Sequence, residues 1–333
     1  MLKAAIIGLG WWGRYIAALL QGNPKLRLAR AVALDPAAGR FAVEHGMAFS
    51  NDFEAAIDDP DIQAVILCTL HSQHCGQVVR AANAKKHVFC EKPLSLSRAD
   101  ALKAVAACNA NGVALAVGHE KRFEPPIAEL FRMAAAGELG TLMQVEANFS
   151  QDKFLSMKAD NWRLSEKEAP AGPMTATGVH LLDLSVGLLG PAENVCVRVR
   201  QLGSGLKNGD TLGLLVAHKS GANSLISAIL ATPFEGRFAV YGSKGWAEVR
   251  DKAHPEEPAG WTLTTSIRGE GRRSIEYPPA KAVLSNLEAF ADAAMGRAPY
   301  PVPQEQMIAN ISALEAVFKS ARSGNIEPVS NNS

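Results

Sequence analysis

The stretch that most constrains this chain is residues 3–13, Lys3-Ala4-Ala5-Ile6-Ile7-Gly8-Leu9-Gly10-Trp11-Trp12-Gly13. A short apolar run ends in Gly-x-Gly-x-x-Gly and passes into a helical pattern over 12–21. Asp35 closes a second apolar run 22 residues after Gly13. Strand, glycine turn, helix, second strand and acid, in that order, make the first unit of a dinucleotide-binding fold. Gly8 allows the tight turn, Gly10 lets backbone approach a pyrophosphate, and Gly13 lets the helix pack closely on the strand. The helix N-terminus then faces the phosphates. Asp35 can accept hydrogen bonds from ribose hydroxyls and would repel a 2′-phosphate, which favours NAD over NADP. Arg40 is near enough in sequence to blur that preference. Trp11 and Trp12 fill the x-x positions of this cofactor loop. Trp12 is expected to pack under the loop, and Trp11 either packs or lies beside the cofactor.

Further along, short apolar runs continue to alternate with helical stretches. Strands are expected at Lys3–Gly8, Leu28–Leu34, Ala64–Cys68, His87–Cys90 and Ala114–Gly118, with helices near 12–21, 52–57, 75–85 and 97–111. The last helix follows Ser97-Arg98-Ala99-Asp100, a capping-box pattern. The alternation predicts a doubly wound parallel sheet, an α/β Rossmann domain over about 1–120. Beyond a helix near 124–137 the rhythm changes. Longer, alternating strands follow at Thr141–Phe149, Asn194–Gln201, Thr211–His218, Ser224–Ala231, Arg237–Tyr241 and Trp261–Ile267, separated by short turns. This predicts an α+β domain over 121–333 with a large, mostly antiparallel open sheet. Helices near 281–295 and 303–322 close the chain, and Asn331-Asn332-Ser333 is expected to fray.

Two more elements carry chemistry. Glu91-Lys92-Pro93 directly follows a strand, at the carboxyl end of the sheet, where ligands bind in such folds. Taken alone, Lys92 would be an ordinary surface lysine. Gly178-Val179-His180-Leu181-Leu182-Asp183 places a histidine among apolar residues, where a satisfied core histidine is the ordinary outcome. Together with the glycine loop, these elements resemble the Gfo/Idh/MocA oxidoreductases, the family of glucose–fructose oxidoreductase and inositol dehydrogenase. Cys68-Thr69-Leu70-His71-Ser72-Gln73-His74 is similar to that family's Thr-Pro-Asn-x-x-His loop, with Leu70 and His71 departing from it. Lys121-Arg122-Phe123, Gly137-Glu138-Leu139-Gly140 and Trp162-Arg163 also match.

The resemblance implies hydride transfer between nicotinamide and a secondary alcohol or ketone of a sugar, cyclitol or related polyol. Lys92 would polarise the reacting oxygen and help relay its proton, and His180 would bind or deprotonate the hydroxyl. Glu91 and Pro93 would hold the loop at the nicotinamide, with Thr69, His71 and His74 also lining the cofactor. Asp183 could orient His180 or its helix. An aromatic cis-dihydrodiol is the alternative substrate. A dinucleotide-binding regulator without catalysis is the alternative function. One position departs from the family. An aspartate usual four residues before the histidine is here Ala176. Either Lys92 and His180 suffice, or another group such as Thr177 substitutes, or the usual chemistry is lost. His119 and Arg122, after the fifth expected strand, are candidates for the substrate mouth. Lys153, Lys158, Trp162 and Arg163 add positive charge and an aromatic ring there, which would suit an anionic group on the substrate. The family's open sheets commonly pair between subunits, which implies a homodimer or homotetramer.

Composition narrows the remaining classes. A net charge of +1 over 333 residues offers no basic field for nucleic acid. No apolar run approaches the roughly 20 residues of a membrane span. The start reads as a strand rather than an export signal, and five cysteines without a C-x-x-C spacing fit free thiols in the cytoplasm. His71, His74 and Cys75, with Cys68 and Cys90, invite comparison with a soft-metal site. Their spacing has no paired-ligand pattern, so no metal is expected.

Overall fold

A computed structural model describes residues 1–330; the expected loose end at 331–333 lies outside the described residues. The elements run β1 (Leu2–Ile7), α1 (Trp11–Leu19), β2 (Leu26–Val32), α2 (Ala38–Glu44), β3 (Ala48–Ser50), α3 (Glu54–Ile57), β4 (Ala64–Leu67), α4 (His74–Asn83), β5 (His87–Cys90), α5 (Arg98–Asn111) and β6 (Leu115–Val117). They continue as α6 (Pro125–Ala135), β7 (Leu142–Ser150), α7 (Val179–Leu189), β8 (Ala192–Arg200), β9 (Thr211–His218), β10 (Asn223–Ile229), β11 (Glu235–Gly242), β12 (Gly245–Asp251), β13 (Trp261–Ile267), β14 (Gly271–Tyr277), α8 (Ala282–Ala294), α9 (Gln304–Ser323) and β15 (Glu327–Pro328). Two compact units form: residues 1–119 with 283–307, and residues 120–282 with 308 onward.

The first unit is a six-stranded sheet in the order β3-β2-β1-β4-β5-β6, parallel throughout. Its central strands are buried on both faces, and for that reason read as continuous apolar runs in the sequence. The three residues of β3 are too few to show a pattern, and this strand was not among those expected. Strand order reverses at β1, so β1 and β4 flank the crevice at the carboxyl ends where ligands enter such sheets. Ser97 caps α5 as its sequence predicts, accepting from the Asp100 amide at 3.2 Å, and Gly112 ends the helix at φ +64°.

The sequence reading gives all of 121–333 to a second domain and any return to helix 303–322. In the structure the segment that belongs with the first unit is 283–307, chiefly α8. Leu287, Phe290 and Ala291 join the core around Leu2, Ile6, Ile16 and Phe89, and the Phe290 and Phe89 rings meet edge to face at 5.8 Å. Asn286 donates to the Val117 carbonyl at 3.0 Å, satisfying the end of β6.

The second unit is a nine-stranded sheet in the order β14-β13-β12-β11-β7-β10-β9-β8-β15. Every described pairing is antiparallel except that of β7 with β10. Alternation sends Val145, Ala147 and Phe149 of β7, and Leu212, Leu214 and Val216 of β9, to the covered face. Four elements were not read from the sequence pattern, the two-residue β15 among them. Helix α7, Val-His-Leu-Leu-Asp-Leu-Ser-Val-Gly-Leu-Leu, is buried nearly all round and so carries no amphipathic period. Strand β14 is an exposed edge with Arg272, Arg273 and Glu276, too polar to read as a strand. Strand β12 is the return limb of a tight hairpin through 242–245. No helix among the described residues is long and apolar enough to cross a membrane.

Replacing Phe290 by alanine is expected to cost the first unit about 3–5 kcal/mol. Urea unfolding monitored on that unit would read it. A loss under ~1 kcal/mol would show that α8 does not belong to this core.

Candidate functional site

Three chain ends converge at the carboxyl edge of the first sheet: the turn after β1, the loop after β4 and the loop after β5. In the β1 turn the three glycines have different causes. Gly8 sits at φ +95°, and a Cβ there would lie 2.5 Å from the Cys68 carbonyl oxygen at the end of β4. A Cβ on Gly13 would fall 1.9 Å from the Gly8 carbonyl oxygen, so this glycine lets α1 close on the turn. Gly10 is at φ −67°, and a Cβ there would meet nothing within 4 Å. It begins α1 with no side-chain cap, leaving the helix N-terminus to backbone N–H groups. Open space at Gly10 over an uncapped helix end fits an anionic pyrophosphate. Trp11 is half exposed beside this turn. Trp12 stacks on Tyr15 at 5.0 Å and lies against the core. Asp35 stands exposed beyond β2, its Oδ1 accepting from the Ala37 amide at 2.9 Å, with Arg40 exposed on α2.

The loops after β4 and β5 are tied to each other. His74 is fully buried, with Nδ1 2.7 Å from the Pro93 carbonyl and Nε2 3.3 Å from the Thr69 carbonyl. A carbonyl only accepts, so the shorter contact requires Nδ1 to carry the proton. His74 is therefore a clamp between the two loops. His71 is buried with its ring 5.8 Å from that of His74, and Thr69 donates to the Gln77 side chain. Glu91 is buried against β6's end, where a Cβ on Gly118 would come within 2.6 Å of its carboxylate. Lys92 follows at a half-buried position, its amide 3.3 Å from Glu91 Oε2, with a cis bond to Pro93. His119, the last residue of the segment, is buried.

In the second unit the chemistry gathers at the start of α7. The helix is entered through a wide, π-helical turn at Met174–Gly178, preceded by Ala171 at φ +51°. Such turns and strained residues collect at functional sites. His180 lies in the first turn of α7 and is only 3% exposed. Its Nδ1 is 3.5 Å from Oε2 of Glu120, itself buried in the turn at Glu120–Phe123. The ring is 6.2 Å from that of Phe149, which meets Phe234 and His254 at 6.1 and 6.0 Å.

Several expected substrate residues are engaged elsewhere. Arg122, expected at the substrate mouth, forms a buried bridge. It grips Asp183 through Nε at 2.6 Å and Nη2 at 3.2 Å, and the Asp183 carbonyl at 2.8 Å. A Cβ on Gly187 would fall 2.3 Å from its guanidinium, so glycine makes room there. Breaking such a pair from one side costs about 3–5 kcal/mol. Asp183 thus anchors the helix through Arg122. Thr177 is buried and donates to the Pro173 carbonyl at 3.3 Å, bracing the wide turn. Ala176 packs on Phe154, Leu206 and Leu230, an apolar cluster in which a carboxylate would have to be desolvated.

Lys153 is held by the Glu256 carboxylate at 3.1 Å and donates to His254 Nδ1 at 3.0 Å. Burial, with the Lys153 and Lys121 charges, pushes His254 down to about 3, so the ring is a neutral acceptor at pH 7. Arg163 stacks over Trp162 at 4.2 Å, and Trp162, Arg163 and Lys158 lie on the short turns of 157–164. Lys121, next to Arg122, is fully buried between Glu124 at 3.0 Å and Asp251 at 3.1 Å. Burial lowers its affinity for a proton, yet the two carboxylates hold it above the ordinary lysine value. Burial raises Glu124 despite Lys121. A carboxylate the sequence reading passed over is Glu120, which the structure places beside His180. Its signal was its place between two residues already chosen, His119 and Arg122.

Residues 2–119 match the model of the oxidoreductase family with an NAD-binding Rossmann fold, and residues 127–248 match the Gfo/Idh/MocA C-terminal domain. The chain belongs to the Gfo/Idh/MocA oxidoreductase family. It is an NAD(P)-binding oxidoreductase. Among its relatives is the 1,5-anhydro-D-fructose reductase of Ensifer adhaerens, 29% identical over 291 residues covering 85% of each chain. The trans-1,2-dihydrobenzene-1,2-diol dehydrogenase of Bos taurus is 24% identical, covering 73% of this chain and 69% of that protein. The solved aldose-aldose oxidoreductase of Caulobacter crescentus, complexed with glycerol, superposes with a TM-score of 0.85 at 25% identity, covering 98% of this chain and 99% of that one.

The glycine geometry separates two outcomes. Gly13→Ala is expected to destabilise the first unit by ~1–3 kcal/mol through overpacking. Gly10→Ala should leave stability within about 0.5 kcal/mol while weakening NADH binding at least about tenfold, or ~1.4 kcal/mol. Thermal melts and NADH titrations of both variants would check this. A Gly10→Ala protein that binds NADH as tightly as the wild type would contradict the placement of the pyrophosphate.

Proposed function

We propose that this family member is an NAD-dependent dehydrogenase or reductase acting on a secondary alcohol or ketone of a sugar, cyclitol or related polyol. The observation that carries the reading is Lys92, half-buried at the carboxyl end of β5 in the same sheet as the glycine turn of β1. Bound nicotinamide would supply the hydride-transferring carbon. Gly8, Gly10 and Gly13 would hold its pyrophosphate, and the exposed Asp35 the adenosine ribose. Lys92 would donate a hydrogen bond to the reacting oxygen, stabilising the alkoxide character that develops as the proton leaves. His180 would bind the hydroxyl and take its proton. Glu91 and His74 fix the Lys92 loop from two sides.

The preference for NAD rests on Asp35, whose carboxylate would repel a 2′-phosphate. Sugar-type substrates are supported by the likeness to the anhydro-fructose reductase and the aldose oxidoreductase. An aromatic or alicyclic diol is a second reading. It is favoured by the Phe149 ring beside His180, with the Phe234 and His254 rings packed on Phe149, and by the bovine diol dehydrogenase among the relatives. The neutralisation of Lys153 by Glu256 weakens the case for an anionic substrate. The regulatory alternative rested on Ala176, and that residue has an apolar packing role.

The test is reduced-nicotinamide absorbance with NAD⁺ against aldoses, anhydro-sugars, inositols and cyclic diols, beside Lys92→Met. One class is expected to turn over, and the variant to lose about 10²–10⁴-fold of kcat while still binding NADH. Turnover that survives Lys92→Met would contradict the assignment of Lys92. Silence of the wild type across all classes would contradict the substrate reading.

A further inference from the structure

We infer that Glu120 is the charge partner of His180, a positioning carboxylate that stabilises the ring in its protonated state. The inference deepens the proposed function and rests on it for its catalytic meaning, though its physical content stands alone. The Glu120 Oε2 to His180 Nδ1 distance of 3.5 Å is an ion-pair distance rather than a good hydrogen bond. Both side chains are nearly excluded from solvent, at 9% and 4% exposure, so the attraction is screened little.

The surroundings select this pairing. The two cations next to Glu120 in sequence have their own carboxylates: Lys121 has Glu124 and Asp251, and Arg122 has Asp183. Those pairs also set the geometry. Arg122 binds Asp183 through two nitrogens, and Asp183 lies one helical turn after His180 on α7. The bridge therefore pins the turn carrying Glu120 to the helix carrying His180, in a register that keeps carboxylate and ring together. Position 176, four residues earlier, is an alanine packed on apolar side chains. The Thr177 hydroxyl is turned to the Pro173 carbonyl, and β7 brings the Phe149 ring, with Lys121 over its face at 5.0 Å. Beyond Phe149, His254 is neutral and bound by Lys153. When His180 takes a proton from a hydroxyl, the positive charge appears beside Glu120. The proton stays on the ring, and Glu120 remains a carboxylate.

The experiment follows the histidine Cε1–H signals of the full-length protein, labelled at histidine, through a pH titration. His180→Asn assigns the His180 signal. No substrate is needed, so a failed turnover panel leaves this test intact, and a failed titration leaves the turnover panel intact. Removing a negative neighbour disfavours imidazolium, so Glu120→Gln is expected to lower the His180 midpoint by about one pH unit. Glu120→Asp keeps the charge at a greater distance and should lower it by less; it carries the test if the Gln variant does not fold. NADH binding by the first unit should be unchanged in both. A His180 midpoint that does not move in either variant, or moves equally in both, would overturn the proposal.

Discussion

The first unit depends on one close approach of backbone to backbone. Because Gly13 has no Cβ, α1 can begin against the Gly8 carbonyl, and because Gly8 has none, the turn can lie on the end of β4. Any side chain at either place would push the helix away from the strand. The consequence is an uncapped helix N-terminus at the carboxyl edge of a parallel sheet, next to the point where strand order reverses. That is an anion site made of N–H groups. The loops after β4 and β5 are then brought to the same edge by parallel pairing and locked by His74 and Glu91. The position of Lys92 follows from packing as much as from its own sequence.

The second unit turns on a different constraint. Helix α7 is apolar on nearly every side, so it must be buried, and its polar residues His180, Asp183 and Ser185 are buried with it. A buried charge without a partner is costly, so Asp183 requires Arg122, and Arg122 requires the missing side chain of Gly187. The same pair brings Glu120 to His180. The ion pairing that holds the helix therefore also places a carboxylate beside its histidine.

Much of this was legible in the sequence, and what was not has physical causes. The glycine turn, Asp35, the capped start of α5 and the parallel sheet are local patterns, each set by a few neighbouring residues. The Glu91-Lys92-Pro93 loop could be found because it directly follows a strand. Helix α7 escaped because a helix buried all round has no period, and β14 because an exposed edge strand has no apolar face. The bridge of Arg122 was not legible because its partner is 61 residues away and no local pattern names it. The clamp of His74 was not legible because a ring that holds two carbonyls has the same sequence as one that touches a ligand. The Thr177 bond was not legible because its hydroxyl turns back to the chain four residues earlier, a choice made by the wide turn.

The central claim is that the turn after β1, with Asp35 beyond β2, holds NAD in preference to NADP. Calorimetric titration of the full-length protein with NADH and with NADPH tests it most directly. The account predicts saturable binding of one NADH per chain, and NADPH weaker by about tenfold or more, a difference of ~1.4 kcal/mol. Equal or tighter binding of NADPH would contradict the role given to Asp35. Absence of binding by either nucleotide would contradict the reading of the turn itself.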